Sequence, residues 1–465
     1  MDKKEDKMRE FCGVYGIYSF ESDALSKMIY FGLFALQHRG QESAGIAVSD
    51  DKRIKMHKGM GLCAVVFNEK ILNSLRGHIA CGHVRYSTTG SSSIKNAQPI
   101  VIDSQFGEIA LAHNGNLVNS HEIRKELKAK GHVLRTTTDS EVLAVLIKSS
   151  GERTIEKAVI SACKKAKGAF SLVIMTKDKL IGVRDSNGIR PLCLGKTKDT
   201  YVLSSETTGL DVIGAEFIRN VDNGEIVIVD KEGVKSVTYE HNARKALCAF
   251  EFIYLARPDS VLDGRCVSEA RSIMGKFLAK ENKVDADIII GVPDSGIAAA
   301  IGYSQESKIP YAEGLIKNRY IGRTFIQPTQ AIRDLGVKLK LNPIRDIVRG
   351  KKIVVIDDSI VRGTTSRQIV RILRDAGARE IHMRISSPPI IYPCYYGIDT
   401  PDRNELIAAT TSIEGIRKFL EVDSLNYLSV DDLVKSINIP KDSLCLACLN
   451  GDYCVPLPEN KKKDV

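Results

Sequence analysis

The sequence has no unbroken apolar run of roughly 18 residues, so no membrane-spanning helix is expected. Its opening residues, Met1 to Phe11, mix Lys, Arg, Asp and Glu and lack the apolar centre of a secretory signal, which points to a cytoplasmic protein. Zinc-finger spacing and RNP-like aromatic motifs are missing, and nucleic acid is set aside as a partner. There is no internal repeat and no low-complexity tract. The 11 cysteines are odd in number and irregularly spaced, which argues against a disulfide framework and leaves packing, catalysis or metal binding.

A hydrophobic content of 43% with 27% charged residues describes an ordinary globular chain. At 465 residues it is too long for one core, so two or three domains are expected. The net charge of +10 is partly local: Lys317 to Lys352 holds ten Lys/Arg against Asp334 and Asp346. A small anionic substrate explains such a segment as well as nucleic acid does. The chain divides near residues 240–260. Before that point, short strands at 12–20, 45–49, 79–85, 108–113, 171–176, 182–184, 201–205 and 225–229 alternate with helices at 24–36, 119–130, 140–148 and 154–163, an α+β layered pattern. After it, strands at 286–292, 311–316, 352–356 and 380–386 and helices at 297–307 and 365–376 give a βαβ rhythm and a parallel sheet.

The stretch from Ile353 to Ser366 runs from an apolar strand into Asp357-Asp358, then into Arg362-Gly363-Thr364-Thr365-Ser366 and a helix. A phosphate fits that helix N-terminus, where N–H groups and the dipole favour negative charge. Gly363 permits close backbone approach, and Thr364, Thr365 and Ser366 add hydroxyls. The two carboxylates can accept a sugar's vicinal hydroxyls or lie near a Mg²⁺ held by pyrophosphate. The segment resembles the phosphoribosyl diphosphate (PRPP) motif of the type I phosphoribosyltransferases.

In the first half, Cys12 opens a strand, Arg85 follows another, His113-Asn114-Gly115-Asn116 offers an amide and a Gly N–H, and Asp139 starts a helix. These groups describe a glutamine pocket: Arg85 for the α-carboxylate, Asp139 for the α-amine, Cys12 to attack the side-chain carbonyl, and Asn114 with Gly115 for the oxyanion. His83 and His113 read as orienting residues. With Leu36 to Ser43, the set resembles the class II glutamine amidotransferases of the N-terminal-nucleophile fold. That resemblance implies removal of residues 1–11, so that the α-amine of Cys12, of ordinary pKa about 7.7–8.0, serves as its base.

Jointly, residues 12–455 resemble the glutamine PRPP amidotransferase family, in its iron–sulfur, propeptide-processed branch. Phe250 to Ser260 matches the family's domain junction, and Val292-Pro293-Asp294-Ser295-Gly296 its pyrophosphate loop. Lys317 to Phe325, with Arg319, Tyr320 and Arg323, matches the start of a loop that folds over PRPP. The resemblance implies a propeptide 1–11, an αββα glutaminase domain over 12–245, and an α/β phosphoribosyltransferase domain over 246–465. The implied reaction is the first committed step of purine synthesis: glutamine hydrolysed at Cys12, and ammonia passed internally to PRPP to give 5-phosphoribosylamine. It further implies Mg²⁺ held through Ser295, Asp357 and Asp358, purine nucleotides as inhibitors, and a homodimer or homotetramer.

Cys445-Leu-Ala-Cys448 is a C-x-x-C. With Cys248 and Cys394 it matches the positions that hold a [4Fe–4S] cluster in that branch; a Cys₄ zinc site is the competing reading. Cys454 lies nearby without a place in the pattern, and Cys63, Cys81, Cys163, Cys193 and Cys266 are expected to be buried packing residues. A PRPP-sensing regulator would need a DNA-binding module that is not visible, and a salvage phosphoribosyltransferase would leave the first half unexplained.

Overall fold

The computed structural model describes residues 12–21, 25–86, 92–318, 341–400 and 402–458. Residues 1–11 and the expected loop positions Arg319, Tyr320 and Arg323 lie outside these. Among the described residues no helix is long and apolar enough to cross a membrane.

The first half is a sandwich of two antiparallel sheets. One has seven strands in the order Glu216–Asn220, Cys193–Lys196, Thr200–Ser204, Gly13–Ser19, Ile79–Arg85, Ser43–Ser49 and Ile54–Met60. The other has six: Gly233–Thr238, Glu225–Asp230, Leu180–Arg184, Gly168–Met175, Gly107–Leu117 and Ile100–Ser104. The strand Gly168–Met175 shows why sequence alternation is blurred here, since every residue is buried. Val173 and Met175 face the partner sheet, while Phe170, Leu172 and Ile174 face the helices Asp139–Lys148 and Ile155–Lys165. Leu25–Ala35 covers the other sheet, which completes the four layers.

The second half is built on a four-stranded parallel sheet, ordered Ile288–Gly291, Lys352–Asp357, Glu380–Ile385 and Ser424–Tyr427. A parallel bridge joins Tyr311 to Ile289 on the outer side. The strand order therefore reverses between Ile288–Gly291 and Lys352–Asp357, the place where ligands bind in open α/β sheets. The helices Val267–Glu281 and Ile297–Ser307 pack backbone to backbone. A Cβ on Gly275 would stand 1.9 Å from the Ala299 oxygen, and one on Gly302 1.9 Å from the Ser272 oxygen.

The helix Thr364–Asp375 and the strand Ile79–Arg85 fall where the sequence puts them, within a residue. The strand expected at 311–316 is instead Leu315–Lys317, paired outside the sheet with Leu341–Pro343. Strands at 54–60, 100–104, 193–196, 216–220 and 233–238 were not expected. Ile54–Met60 and Gly233–Thr238 are edge strands with partly exposed residues, so their apolar signal is weak.

The halves share one core. Val118, Ala169 and Ile189 of the first pack with residues 246–457 of the second. At their junction lies a buried charge network. Arg39 donates to Glu206 at 2.5 Å and forks onto both oxygens of Glu251 at 3.0 and 2.9 Å, and Arg190 reaches Glu251 at 3.1 Å. Glu206 also accepts His38, the backbone N–H of Arg257 and the Ser260 hydroxyl.

Gly275→Ala is expected to lower unfolding free energy by about 1–3 kcal/mol, because the added methyl meets a carbonyl that cannot move independently of its helix. Urea denaturation followed by circular dichroism measures this; an unchanged midpoint would show that the helices can separate at no cost.

Candidate active site

Cys12 stands just before the strand Gly13–Ser19. The register Gly13↔Val84 sets it beside Arg85 at the end of the neighbouring strand. Cys12 is 8% exposed; its thiol points to the Tyr86 carbonyl at 3.6 Å, and its own carbonyl accepts the Nε–H of Arg39 at 3.1 Å. Arg85 is buried and donates to Glu42 at 3.0 Å. Glu42 was not assigned from sequence, although its segment was singled out.

The opposite sheet supplies Asn114 and Gly115. These belong to the strand Gly107–Leu117, so they are not a free-standing turn. His83 Nε2 donates to the His113 carbonyl at 3.0 Å and pins the two sheets together. Two residues beyond His83 comes Arg85, with Cys12 beside it, and one residue beyond His113 comes Asn114. Burial pushes the His83 imidazole down to about 3, so it is neutral and serves as a spacer. Asn114 is 2% exposed and its side-chain nitrogen has no hydrogen-bond partner, a rare state for a buried amide. Ser171, opposite Asn114 in the strand register, and Ser43, opposite Arg85, likewise have unpartnered buried hydroxyls. Gly115 has φ +144°, and a Cβ there would lie 2.0 Å from the Ala169 oxygen, so no other residue fits.

Asp139 begins the helix Asp139–Lys148, whose N-cap is Thr138, accepting from the Glu141 N–H. The carboxylate of Asp139 is thus not used as the cap. It accepts the Leu117 N–H at 3.0 Å and faces His113 Nδ1 at 3.6 Å. Burial alone would raise its pKa, but His113 and these hydrogen bonds outweigh it and keep the group below the ordinary carboxylate value. It is therefore a buried anion on the Asn114 side of the sandwich.

The second site lies at the reversal of the parallel sheet. Asp357 ends its strand and Asp358 follows; both are buried. The Asp358 carboxylate accepts hydroxyls from Ser295 at 2.5 Å and Ser359 at 2.6 Å, joining the 293–296 loop to the motif. Asp294 turns outward to Lys317 at 2.5 Å. Gly363, at φ +78°, is the N-cap of Thr364–Asp375 and provides no side-chain cap, which leaves that helix start to backbone N–H groups and hydroxyls. Ser366 is buried, and Arg362 pairs with Glu405. Arg271 was missed by sequence reading. It is buried, donates to the Phe252 and Ala256 carbonyls at 2.7 and 2.9 Å, and is held below its ordinary pKa by burial, against the opposing pull of Asp358.

Two oxygen-bearing carboxylates with an adjacent hydroxyl suit Mg²⁺, which prefers oxygen donors. The thiols are placed differently. Leu247–Cys248 pairs in parallel with Leu444–Cys445, so Cys248 and Cys445 are direct neighbours. Burial raises the Cys448 thiol, with Cys394, Cys248 and Cys445 close enough to add to the effect, and a hydrogen bond with the free thiol of Cys454, together with burial, raises that of Cys445. As they stand, no group of three or more His, Cys, Asp or Glu among the described residues is arranged to hold a metal ion. Of the expected packing cysteines, Cys63, Cys81, Cys163 and Cys193 are buried, and burial raises the Cys63 thiol to about 12. Cys266 differs: it precedes the helix Val267–Glu281 at the surface and is partly exposed.

Comparison with known proteins matches both halves of the chain. Residues 83–212 match the glutamine amidotransferase domain family, and residues 263–386 match the phosphoribosyl transferase domain family. The amidophosphoribosyltransferase of Synechococcus elongatus is 52% identical over 467 residues, covering 99% of this chain and 94% of the relative. Two solved structures overlay closely. One, described as the allosteric regulatory enzyme of purine biosynthesis, has a TM-score of 0.92 at 47% identity and covers 97% of each chain. The other is glutamine PRPP amidotransferase from Bacillus subtilis complexed with ADP and GMP, with a TM-score of 0.91 at 47% identity, covering 97% of this chain and 98% of that one. The chain belongs to the amidophosphoribosyltransferase family, which moves the amide nitrogen of glutamine to PRPP in purine biosynthesis.

Proposed function

We propose that Cys12, freed as the N-terminal residue by removal of residues 1–11, is the nucleophile of the glutaminase reaction. Its thiol bonds to the side-chain carbonyl carbon of glutamine while its α-amine takes the thiol proton. That proton then leaves with ammonia as the C–N bond breaks, and water releases glutamate from the thioester. Arg85 holds the α-carboxylate and Asp139 the α-amine. The observation that carries this reading is the buried, unpartnered amide of Asn114 beside Gly115, a donor pair whose acceptor would be the oxyanion.

In the second site ammonia attacks C1 of PRPP and pyrophosphate leaves. Gly363, Thr364, Thr365 and Ser366 would bind the 5-phosphate, with Arg362 alongside; Asp357 and Asp358 would meet the ribose hydroxyls, and Asp294 and Ser295 the pyrophosphate. Ser295, Asp357 and Asp358 are the residues that would hold Mg²⁺, which when bound stabilises charge on the leaving group. Arg319, Tyr320 and Arg323 complete the proposal as the start of a closing loop. The working division is 1–11 propeptide, 12–245 glutaminase and 246–465 transferase, in a cytoplasmic homodimer or homotetramer inhibited by purine nucleotides. The ADP and GMP bound to the Bacillus subtilis protein support that last point.

Cys248, Cys394, Cys445 and Cys448 are proposed as ligands of one [4Fe–4S] cluster. Support lies in their convergence from three segments, and in Arg190, whose charge opposes the burial that raises the Cys248 and Cys394 thiols. When bound, the cluster would act as a structural staple.

Cys12→Ala is expected to abolish synthesis from glutamine and to leave synthesis from ammonium salts; loss of both in a folded variant would refute the division of labour. Asn114→Ala should lower glutamine-dependent kcat by about 10²–10³ with ammonia-dependent synthesis kept, as expected for one oxyanion donor. Anaerobically purified protein should hold iron and sulfide at about four each per chain, and Cys448→Ser should lose both. Zinc without iron in the same assay would assign the four thiols to a zinc site.

A further inference from the structure

A nucleophile that uses its amine and thiol together has only its carbonyl and the following strand to fix its position. The Cys12 carbonyl is held by Arg39 Nε at 3.1 Å. Arg39 has no exposure to solvent, so its orientation depends on the groups that accept its remaining N–H bonds. Two of those three bonds end on one residue, Glu251, at 3.0 and 2.9 Å. Glu251 is not part of the glutaminase fold. It starts the π-helical turn Glu251–Leu255 at the junction, and is itself fully buried.

That turn is gripped from both directions. Arg190 donates to Glu251 at 3.1 Å and to the Tyr396 carbonyl at 2.9 Å, while Arg271, whose charge Asp358 feels, donates to the Phe252 and Ala256 carbonyls. The second half also leans on the oxyanion strand. Asn116 donates to the Tyr395 carbonyl at 2.8 Å, and the Gly397 backbone packs against Gly115. The charged groups facing Glu251 are Arg39, Arg190 and, further off, Arg271 and Glu206, so its carboxylate stands among paired cations.

We infer that Glu251 is a positioning residue of the glutaminase reaction: from the transferase half it orients Arg39, which fixes the carbonyl of Cys12. The inference rests on Cys12 being the nucleophile. The glutaminase centre is thus incomplete without the second half, and any shift of the junction turn is passed to the nucleophile through two arginine contacts.

The test is steady-state kinetics on full-length Glu251→Gln, which keeps the shape and removes the charge. Expected are a glutamine-dependent kcat at least tenfold lower, a glutamine KM within twofold of the parent, and ammonia-dependent synthesis at the parental rate. A purely structural role would lower both syntheses together with the melting temperature. Because an uncompensated arginine pair could prevent folding, the charge-keeping variant Glu251→Asp, whose shorter side chain cannot hold both Arg39 bonds in place, is measured alongside and should show the same split. The inference is overturned if either variant keeps parental glutamine-dependent kcat. It is equally overturned if neither variant retains ammonia-dependent synthesis. Cys12→Ala separates the two readings, since glutamine-dependent activity surviving there removes the nucleophile assignment itself.

Discussion

Arg39, Glu206, Glu251 and Arg190 form four fully buried charges, and the rest of the molecule is arranged around keeping them paired. Removing one partner from such a set leaves a charge stranded in low dielectric, which costs about 3–5 kcal/mol. The network holds Glu206 well below the ordinary carboxylate pKa against the burial that would raise it, with His38 and Arg39 as the opposing causes. It also fixes geometry. Arg39 and Glu206 come from segments of the glutaminase half that are distant in sequence and Glu251 from the junction, so the halves have one relative placement in which every charge is satisfied.

That placement explains why the two chemistries sit on one chain. Free ammonia is lost to protonation and solvent unless its source and its acceptor are held together. The strand of Asn114 and Gly115 is backed by residues 395–397, and the junction turn is backed by Arg271, which feels the charge of Asp358. Thus the walls of each site are partly made by the other half. The shared core, in which Val118, Ala169 and Ile189 pack with the transferase residues, makes the same point in apolar terms.

The candidate glutaminase site shows buried polar atoms left without partners. Ser43 stands opposite Arg85 in one sheet, and Asn114 stands opposite Ser171 in the other. Leaving buried donors unpaired is costly, about 1–3 kcal/mol each, and is tolerated where a ligand completes them. Arg85 is paired with Glu42 in the described structure, so a substrate carboxylate would share or displace that partner.

The sequence alone determined whatever depends on local order. Strand, paired aspartates, Gly-Thr-Thr and helix are contiguous, and neighbouring residues dictate that shape; the helix Thr364–Asp375 and the strand Ile79–Arg85 follow directly. Asp139 was legible as a helix start for the same reason, although the cap proved to be Thr138. Edge strands such as Ile54–Met60 were not legible, because half-exposed strands carry little apolar alternation. Arg39, Glu251, Arg190 and Arg271 were invisible as a set. They lie as far as 232 positions apart, from 39 to 271, and a buried arginine reads like a surface one until its partners are known. Only the tertiary structure decides which charges are removed from water, since burial is a property of the packed whole and not of any segment.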